Sequence, residues 1–277
     1  MSPLKEGGIT SDGGRPDSWC IIIVSRVESQ GGGKLRVLIV SDVHSNLEAF
    51  QSVIDDAGRG KGFDQVWSLG DLVGYGPDPG ECIDTIRRYD TRAVAGNHDL
   101  AATRKLSVES FNMYASKAAL WTADRLTADQ AAYLGGLPLK TELEDFTVVH
   151  GSPRDPIWEY VVTSAAAMAS FLHFDTSRCL VGHSHIPFIC RAQEDRAVFL
   201  DFPLDTPVSL GTDRLIINPG SVGQPRDGDP RASYAIYDSD EGAVYHYRAE
   251  YDIPKTQEKM SERGLPQYLA DRLTYGR

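Results

Sequence analysis

Val37-Leu38-Ile39-Val40-Ser41-Asp42-Val43-His44 opens the regular part of this chain, and its first half can be only one thing. Four apolar, mostly β-branched residues are too few for a helix and predict a buried strand. The run stops abruptly on an acid and an imidazole two residues apart. On an extended strand end, side chains so spaced point the same way and can share one partner. Ser45-Asn46-Leu47-Glu48 reads as a capping box, and Leu47, Phe50, Ile54 and Ala57 then recur on one helical face.

The unit of strand, polar cluster and helix repeats downstream. Val66-Trp67-Ser68-Leu69 runs into Gly70-Asp71, and a helix starts at Asp78-Pro79-Gly80-Glu81 with Pro in its first turn. Cys82, Ile83, Ile86 and Tyr89 supply its apolar positions. Ala93-Val94-Ala95 then leads into Gly96-Asn97-His98-Asp99. Strands alternating with helices predict an α/β fold with a partly parallel sheet. Residues 100–137 are Ala-rich and helical in character, carrying Phe111, Tyr114, Leu120, Trp121 and Leu126. The second half predicts strands at Phe146–Val149, Arg178–Val181, Phe188–Arg191, Val198–Leu200, Leu215–Ile217, Ala232–Tyr237 and Val244–Tyr247, then a polar helical tail from Lys255. The expected architecture is α/β: two facing mixed β-sheets forming a sandwich flanked by helices, in one domain over residues 34–277.

Residues 1–33 differ in kind. They are rich in Gly, Ser and charge and end in Gly31-Gly32-Gly33. They are expected to be a disordered extension, or to follow from a start codon assigned too early. Ile21-Ile22-Ile23-Val24 offers an extra edge strand as the alternative.

Composition excludes several function classes. With 28 Lys and Arg against 39 Asp and Glu, the net charge is −11. A surface so acidic does not track nucleic acid, whose phosphates are captured by Lys and Arg. A small anionic substrate is still allowed, because bound cations reverse the local field. The cysteines, Cys20, Cys82, Cys179 and Cys190, form no Cys-x-x-Cys pair and fit free thiols in a reducing cytoplasm. No apolar stretch approaches the ~20 residues of a membrane helix, and Trp19–Val24 lacks the flanks of a signal peptide. Association into a homo-oligomer is left open.

Five polar clusters thus follow five apolar runs: Asp42-Val43-His44, Gly70-Asp71, Gly96-Asn97-His98-Asp99, His150-Gly151 and Gly182-His183-Ser184-His185. All lie where open α/β sheets place their sites, at the carboxyl ends of strands. Taken singly, Asp-x-His reads as a capped loop and Gly-Asp as a turn. Taken together, they supply Asp, Asn and His in the number needed for two divalent ions, a device for activating water and gripping a phosphoryl group. His173, in an apolar helical stretch, and His246, in a Tyr-rich strand, read as structural.

The ordered set resembles the calcineurin-like metallophosphoesterase superfamily, whose pattern is Asp-x-His, Gly-Asp, Gly-Asn-His-Asp/Glu, His and Gly-His-x-His. Leu72-Val73-Gly74-Tyr75-Gly76-Pro77 and Asn218-Pro219-Gly220-Ser221-Val222-Gly223 are similar to its compact prokaryotic phosphodiesterase branch, often labelled diadenosine-tetraphosphatase-like. The resemblance implies a four-layer fold and a metal-dependent hydrolase of phosphodiesters or nucleotide phosphoanhydrides, with a hydroxide between the metals as nucleophile. It implies that Asp42, His44 and His185 hold one metal, that Asn97, His150 and His183 hold the other, and that Asp71 bridges. Mn, Fe, Ni or Zn would suit such ligands. His98 would sit by the leaving group and donate a proton or hydrogen bond, with Asp99 fixing its tautomer. One departure stands out. The protein-phosphatase and symmetrical tetraphosphatase branches carry an Arg soon after Gly-Asp, where this chain has Gly74-Tyr75-Gly76. Arg226 and Arg231 are candidates to grip substrate in its place, or else belong to a solvated turn.

Alternatives remain open on the sequence: a catalytically weak scaffold on the same fold, a phosphomonoesterase or protein phosphatase, and a nuclease. No ligand of the set is missing, which a scaffold could tolerate, and no basic groove is visible, which a nuclease needs.

Overall fold

Alternation along a single strand builds two layers at once. In Arg36–Val40, Val37 and Ile39 face one apolar cluster while Leu38 and Val40 face another, as a period of two requires. The computed structural model describes residues 34–277. The extension expected over 1–33 and the strand considered at Ile21–Val24 lie outside the described residues.

In chain order the elements are β1 (Arg36–Val40), α1 (Leu47–Arg59), β2 (Gln65–Ser68), α2 (Pro79–Ile86), β3 (Thr91–Ala93), α3 (Asn97–Ala102), α4 (Met113–Ala123), α5 (Ala128–Gly135), β4 (Lys140–Leu143), β5 (Phe146–Val149), α6 (Ser164–Phe171), β6 (Arg178–Leu180), β7 (Phe188–Gln193), β8 (Arg196–Leu200), β9 (Val208–Ser209), β10 (Leu215–Asn218), β11 (Ala232–Asp238), β12 (Ala243–Ala249), α7 (Ile253–Glu262) and α8 (Gln267–Asp271), with short 3-10 turns at Val108–Ser110 and Arg272–Tyr275. One sheet runs β3-β2-β1-β11-β12-β9 and the other β4-β5-β6-β10-β7-β8. The first three strands are parallel, in register Ile39 to Trp67 and Trp67 to Arg92. β5, β6 and β10 are parallel too, and the remaining pairs are antiparallel.

Between the sheets lies a core of Ile39, Trp67, Leu69, Phe146, Val148, Leu180 and Ile217. The edge of Phe146 meets Trp67 at 5.5 Å. Outside the first sheet, α1 and α2 press Phe50, Val53, Ile83 and Ile86 onto Leu38 and Val40. Outside the second, Ala167 and Phe171 of α6 cover Cys179, Cys190 and Ile216. Helix, sheet, sheet and helix form the expected four layers.

Several local expectations needed correction. Ser45 does not cap α1; Asn46 does, its side chain accepting from the Ala49 amide at 3.2 Å, because Ser45 is held at φ 55. β4 and β9 were not read as strands. Each is an edge strand with at most one buried side chain, so neither carries an apolar pattern. The tail is helical but not simply polar: Met260, Leu265, Leu269 and Leu273 bury themselves against Tyr75, Ala115 and Ala118.

That tail is tied to the site-bearing end through buried charge. The Asp78 carboxylate at the start of α2 receives Lys259 at 2.7 Å and Arg263 at 2.9 Å, and Lys259 also reaches Glu48 at 2.7 Å. Removing the acid leaves Lys259 with Glu48 and Arg263 with the Pro77 carbonyl, both cations being partly exposed. Asp78→Ala is therefore expected to cost about 2 kcal/mol in urea unfolding, between an exposed and a fully buried pair. Asp129→Ala, which breaks only the exposed pair with Arg87, should cost less than about 1 kcal/mol. Equal costs would contradict the clamp.

Candidate metal centre

β1, β2, β3, β5 and β6 all end at the same edge of the sandwich, and their loops bring ligand-type side chains together. Asp42, His44 and His185 each place a donor atom within 4.8 Å of the other two, and Asp71, His150 and His183 do the same. A third grouping, His44, Asp71 and His98, overlaps both. All seven side chains are buried. His185 Nε2 lies 3.2 Å from Asp42 Oδ1 and 3.1 Å from His44 Nε2. His150 Nε2 lies 3.3 Å from Asp71 Oδ2, 3.1 Å from His183 Nδ1 and 3.1 Å from Asn97 Oδ1. The same Asp71 Oδ2 is 3.7 Å from His44 Nε2, so one oxygen faces both sets.

Hydrogen bonds behind the rings decide which nitrogen is free. His44, His150 and His185 direct Nδ1 at the carbonyls of Val73 (3.1 Å), Leu69 (2.9 Å) and Gln224 (2.6 Å). A carbonyl only accepts, so each Nδ1 carries a proton and each Nε2 offers a lone pair to the cluster when the ring is neutral. His44 and His185 then oppose lone pairs at 3.1 Å, which repel unless a cation or proton lies between them. Asp42 Oδ1, also buried, has no hydrogen-bond partner. Bare imidazoles, an unpartnered carboxylate oxygen and an amide oxygen suit a first-row divalent ion. The residues present fit the metals that the sequence led us to expect.

Protonation agrees with this geometry. Burial alone would depress His150, but the carboxylates of Asp71 and Asp42 hold its pKa up at about 9. Burial prevails for His183, which falls to about 3, and lowers His44 and His185. Burial opposes ionisation of Asp71 as well, yet His150 and His98 beside it hold its carboxyl well below the usual range.

The side chains do not converge by the extended geometry expected at strand ends. Asp42 (φ 53), His44 (φ 50), Asp71 (φ 52), His183 (φ 63) and His185 (φ 60) are all left-handed. Each such residue costs about 1–2 kcal/mol and persists because the loops are cross-linked. The loop after β1 continues the ladder, with Asp42 N donating to Gly70 O at 3.1 Å and His44 N to Asp71 O at 3.0 Å. Asn218–Gln224 ties it to the histidine loop. Ser221 Oγ donates to Asp42 O at 2.8 Å, and Asn218 Nδ2 donates to Gly182 O at 2.8 Å. Asp71 is fixed from behind by the His98 amide, which donates to Oδ1 at 2.8 Å. Gly96 leaves room for that carboxylate, since an added methyl would overlap it.

His98 lines the cleft beside the cluster. Its Nδ1 edge lies against Gly74, at φ +94, and finds no hydrogen-bond partner. Burial holds the ring down at about 4, Arg226 pushing the same way against Asp71, so it is neutral at pH 7. A proton on Nδ1 would have no acceptor, which leaves Nε2–H to donate into the cleft. Asp99 does not fix this tautomer as expected. Its oxygens accept from the Val73 amide at 3.1 Å and the Gly96 amide at 3.0 Å, bracing the loops instead. Burial, with Asp71 nearby, pushes its carboxyl up to about 7.

The two candidate arginines separate. Arg226 lines the cleft, 5.9 Å from the Tyr75 ring, with Gln224 Oε1 at 2.9 Å. Arg231 is outside the cleft lining and is neutralised by Asp229 at 2.6 Å. His246 is structural, buried between Ser233 Oγ (2.8 Å) and the Phe202 carbonyl (2.9 Å). His173 lies exposed beyond the end of α6 rather than within it. Sequence reasoning missed Tyr75, Trp158 and Tyr160 as lining. The one available signal was aromatic residues in loops rich in Gly, Pro and charge.

These features define a metal-dependent phosphoesterase. The calcineurin-like phosphoesterase superfamily domain matches residues 35–242, and the chain belongs to that superfamily. It is similar to the crystal structure of a metallophosphoesterase from Sphaerobacter thermophilus, at 45% identity and TM-score 0.81, covering 88% of this chain and all of that one. An uncharacterized protein of Methanocaldococcus jannaschii is 39% identical over 88% of this chain and 99% of its own length. The symmetrical bis(5'-nucleosyl)-tetraphosphatase of Glaesserella parasuis is 29% identical, but over only 47% of this chain and 48% of its own. No helix among the described residues is long and apolar enough to cross a membrane.

Two outcomes follow for metal binding. Wild-type protein loaded with Mn²⁺ should hold two equivalents by elemental analysis, and Asp71→Asn should hold fewer than one; two equivalents in the variant would contradict a shared carboxylate. His150 keeps its proton up to about pH 9 until metal displaces it. Apparent affinity should therefore rise with pH below about 9 and level above it. Calorimetry at pH 7.5 in buffers of different ionisation enthalpy should read release of about one proton; no release would contradict the assignment.

Proposed function

We propose that residues 34–277 act as one unit, a two-metal hydrolase of small phosphodiesters or nucleotide phosphoanhydrides working in the cytoplasm. The observation that carries the reading is Asp71 Oδ2 facing His44 on one side and His150 on the other. Two divalent ions held there, Mn²⁺ first among Mn, Fe, Ni and Zn, would activate water and neutralise the phosphoryl oxygens. The buried, unpaired thiols of Cys82, Cys179 and Cys190 support a reducing compartment.

The chain's own residues supply the rest. Neutral His98 donates a hydrogen bond from Nε2 to the leaving oxygen. Arg226, which lines the same cleft, grips a phosphoryl oxygen, replacing the Arg absent after Gly-Asp. A side chain at Gly74 would overlap the His98 ring, so the clamp comes from another loop. Arg231, held by Asp229, takes no part. The tetraphosphatase relatives support nucleotide anhydrides as one substrate type. Arg226 also favours a second reading, phosphomonoester hydrolysis, because it brings a cation to a dianion.

Both readings are separated by kcat/KM for a nitrophenyl diester against the matching monoester with the same metal. The diester should lead, and a monoester lead of tenfold or more would contradict the first reading. His98→Ala should keep its metals and lose about 10²–10⁴ in turnover with an alkyl leaving group. The loss should shrink with nitrophenolate, which leaves without help. Equal losses for both leaving groups would contradict the role of His98.

A further inference from the structure

Beyond the ligand cluster, the cleft is walled by aromatic rings that the chemistry above does not use. Phe111, from the segment joining α3 to α4, sets its edge on His98 at 4.9 Å, and Trp158 meets Phe111 at 5.3 Å. Tyr160 lies parallel to His183 at 4.1 Å and 16°, and remains 46% exposed. None of the three is fully buried, though Phe111 packs against the cluster around Tyr75 and Ala115. We propose that Phe111, Trp158 and Tyr160 form a subsite for the nucleobase of a nucleoside leaving group. The proposal rests on the hydrolase reading and narrows its substrate.

First, the backbone that carries two of the rings is held in place before any ligand arrives. Trp158 and Tyr160 sit on the loop after His150. There Gly151 N donates to Pro156 O at 2.7 Å, Ser152 N to Asp155 O at 2.9 Å, and Trp158 N to Asp155 Oδ1 at 3.1 Å. A methyl on Gly151 would press on the carbonyls of Asp155 and Glu159, so the loop closes only around glycine. A rigid wall loses little entropy when a flat ring stacks on it.

Second, the polar atoms at the wall suit a base edge rather than a plain hydrocarbon. Asn112 spends its Oδ1 on capping α4, accepting from Tyr114 N and Ala115 N at 3.0 Å each. Its Nδ2 is therefore left to donate, and both Asn112 and Ser110 line the same cleft. Third, Phe111 adjoins His98 and Trp158 adjoins Phe111, so that part of the wall lies beside the group assigned to the leaving oxygen, while Tyr160 closes the side next to His183. A polynucleotide is disfavoured by the net charge of −11, whereas one nucleoside needs no basic track.

Stacking on an aromatic side chain contributes about 1–3 kcal/mol per base, which corresponds to about 5- to 150-fold in affinity. Metal-free wild type should therefore bind adenosine 5'-monophosphate more tightly than ribose 5-phosphate, with quenching of tryptophan fluorescence by the nucleotide only. Trp158→Leu should remove the quenching that arises at Trp158, leaving the signal of Trp19, Trp67 and Trp121 unchanged by the nucleotide, and Trp158→Phe, which keeps an aromatic ring there, should keep the calorimetric affinity within about threefold. In metal-loaded enzyme, Trp158→Leu should raise KM for a nucleoside phosphodiester at least tenfold. It should leave kcat/KM for a glycerol phosphodiester within twofold. Equal binding of the two phosphates, or equal loss on both diesters, would overturn the subsite. If the loaded enzyme cleaves neither diesters nor nucleotide phosphoanhydrides yet still discriminates the two phosphates, the hydrolase reading fails and a nucleobase-binding wall stands.

Discussion

One carboxylate organises this molecule's working end. Asp71 has one oxygen pinned by the His98 amide and offers the other to histidines from both sheets. β2 leads to Asp71, β1 leads to His44, and β5 of the opposite sheet leads to His150. The point where they meet is shared by the two halves of the sandwich, so the facing of the sheets is itself a condition of the site. With bare Nε2 lone pairs around it, that oxygen sits in a field that calls for positive charge. In the absence of metal, a proton on His150 answers part of it.

The loops around Asp71 are strained, and the strain explains the rest of the local sequence. Five ligand-type residues adopt left-handed backbone, and neighbouring loops hydrogen-bond to them across the top of both sheets. Asn218–Gln224 supplies several of those bonds without offering a ligand. Gly74 and Gly96 are small because His98 and Asp71 occupy the space a side chain would need. Even the tail contributes, since Lys259 and Arg263 hold Asp78 and the packed Leu269 and Leu273 support Tyr75 at the cleft wall.

Much of this was legible in the sequence because it depends on short-range pattern. The short apolar runs at Val37–Val40 and those ending at Leu69, Val149 and Val181 marked the strands, and the polar residues after them marked the site. What escaped depends on contacts far apart in sequence. β4 and β9 are strands only because β5 and β12 pair with them. Asn46 rather than Ser45 caps α1 because the turn through His44 and Ser45 is left-handed, which no propensity indicates. Asp99 looked like a partner for its neighbour His98, yet its oxygens go to Val73 and Gly96. Arg226 and Arg231 were indistinguishable until Asp229 was seen to take one of them.

On the proposed reading, the two ligand sets share Asp71 and would hold two ions as one unit. Electron paramagnetic resonance during Mn²⁺ titration reads this directly. Two ions bridged by a common carboxylate are spin-coupled, so the account predicts a broad exchange-coupled spectrum growing to two equivalents. A simple six-line signal of isolated Mn²⁺, saturating at one equivalent or persisting unchanged to two, would contradict it.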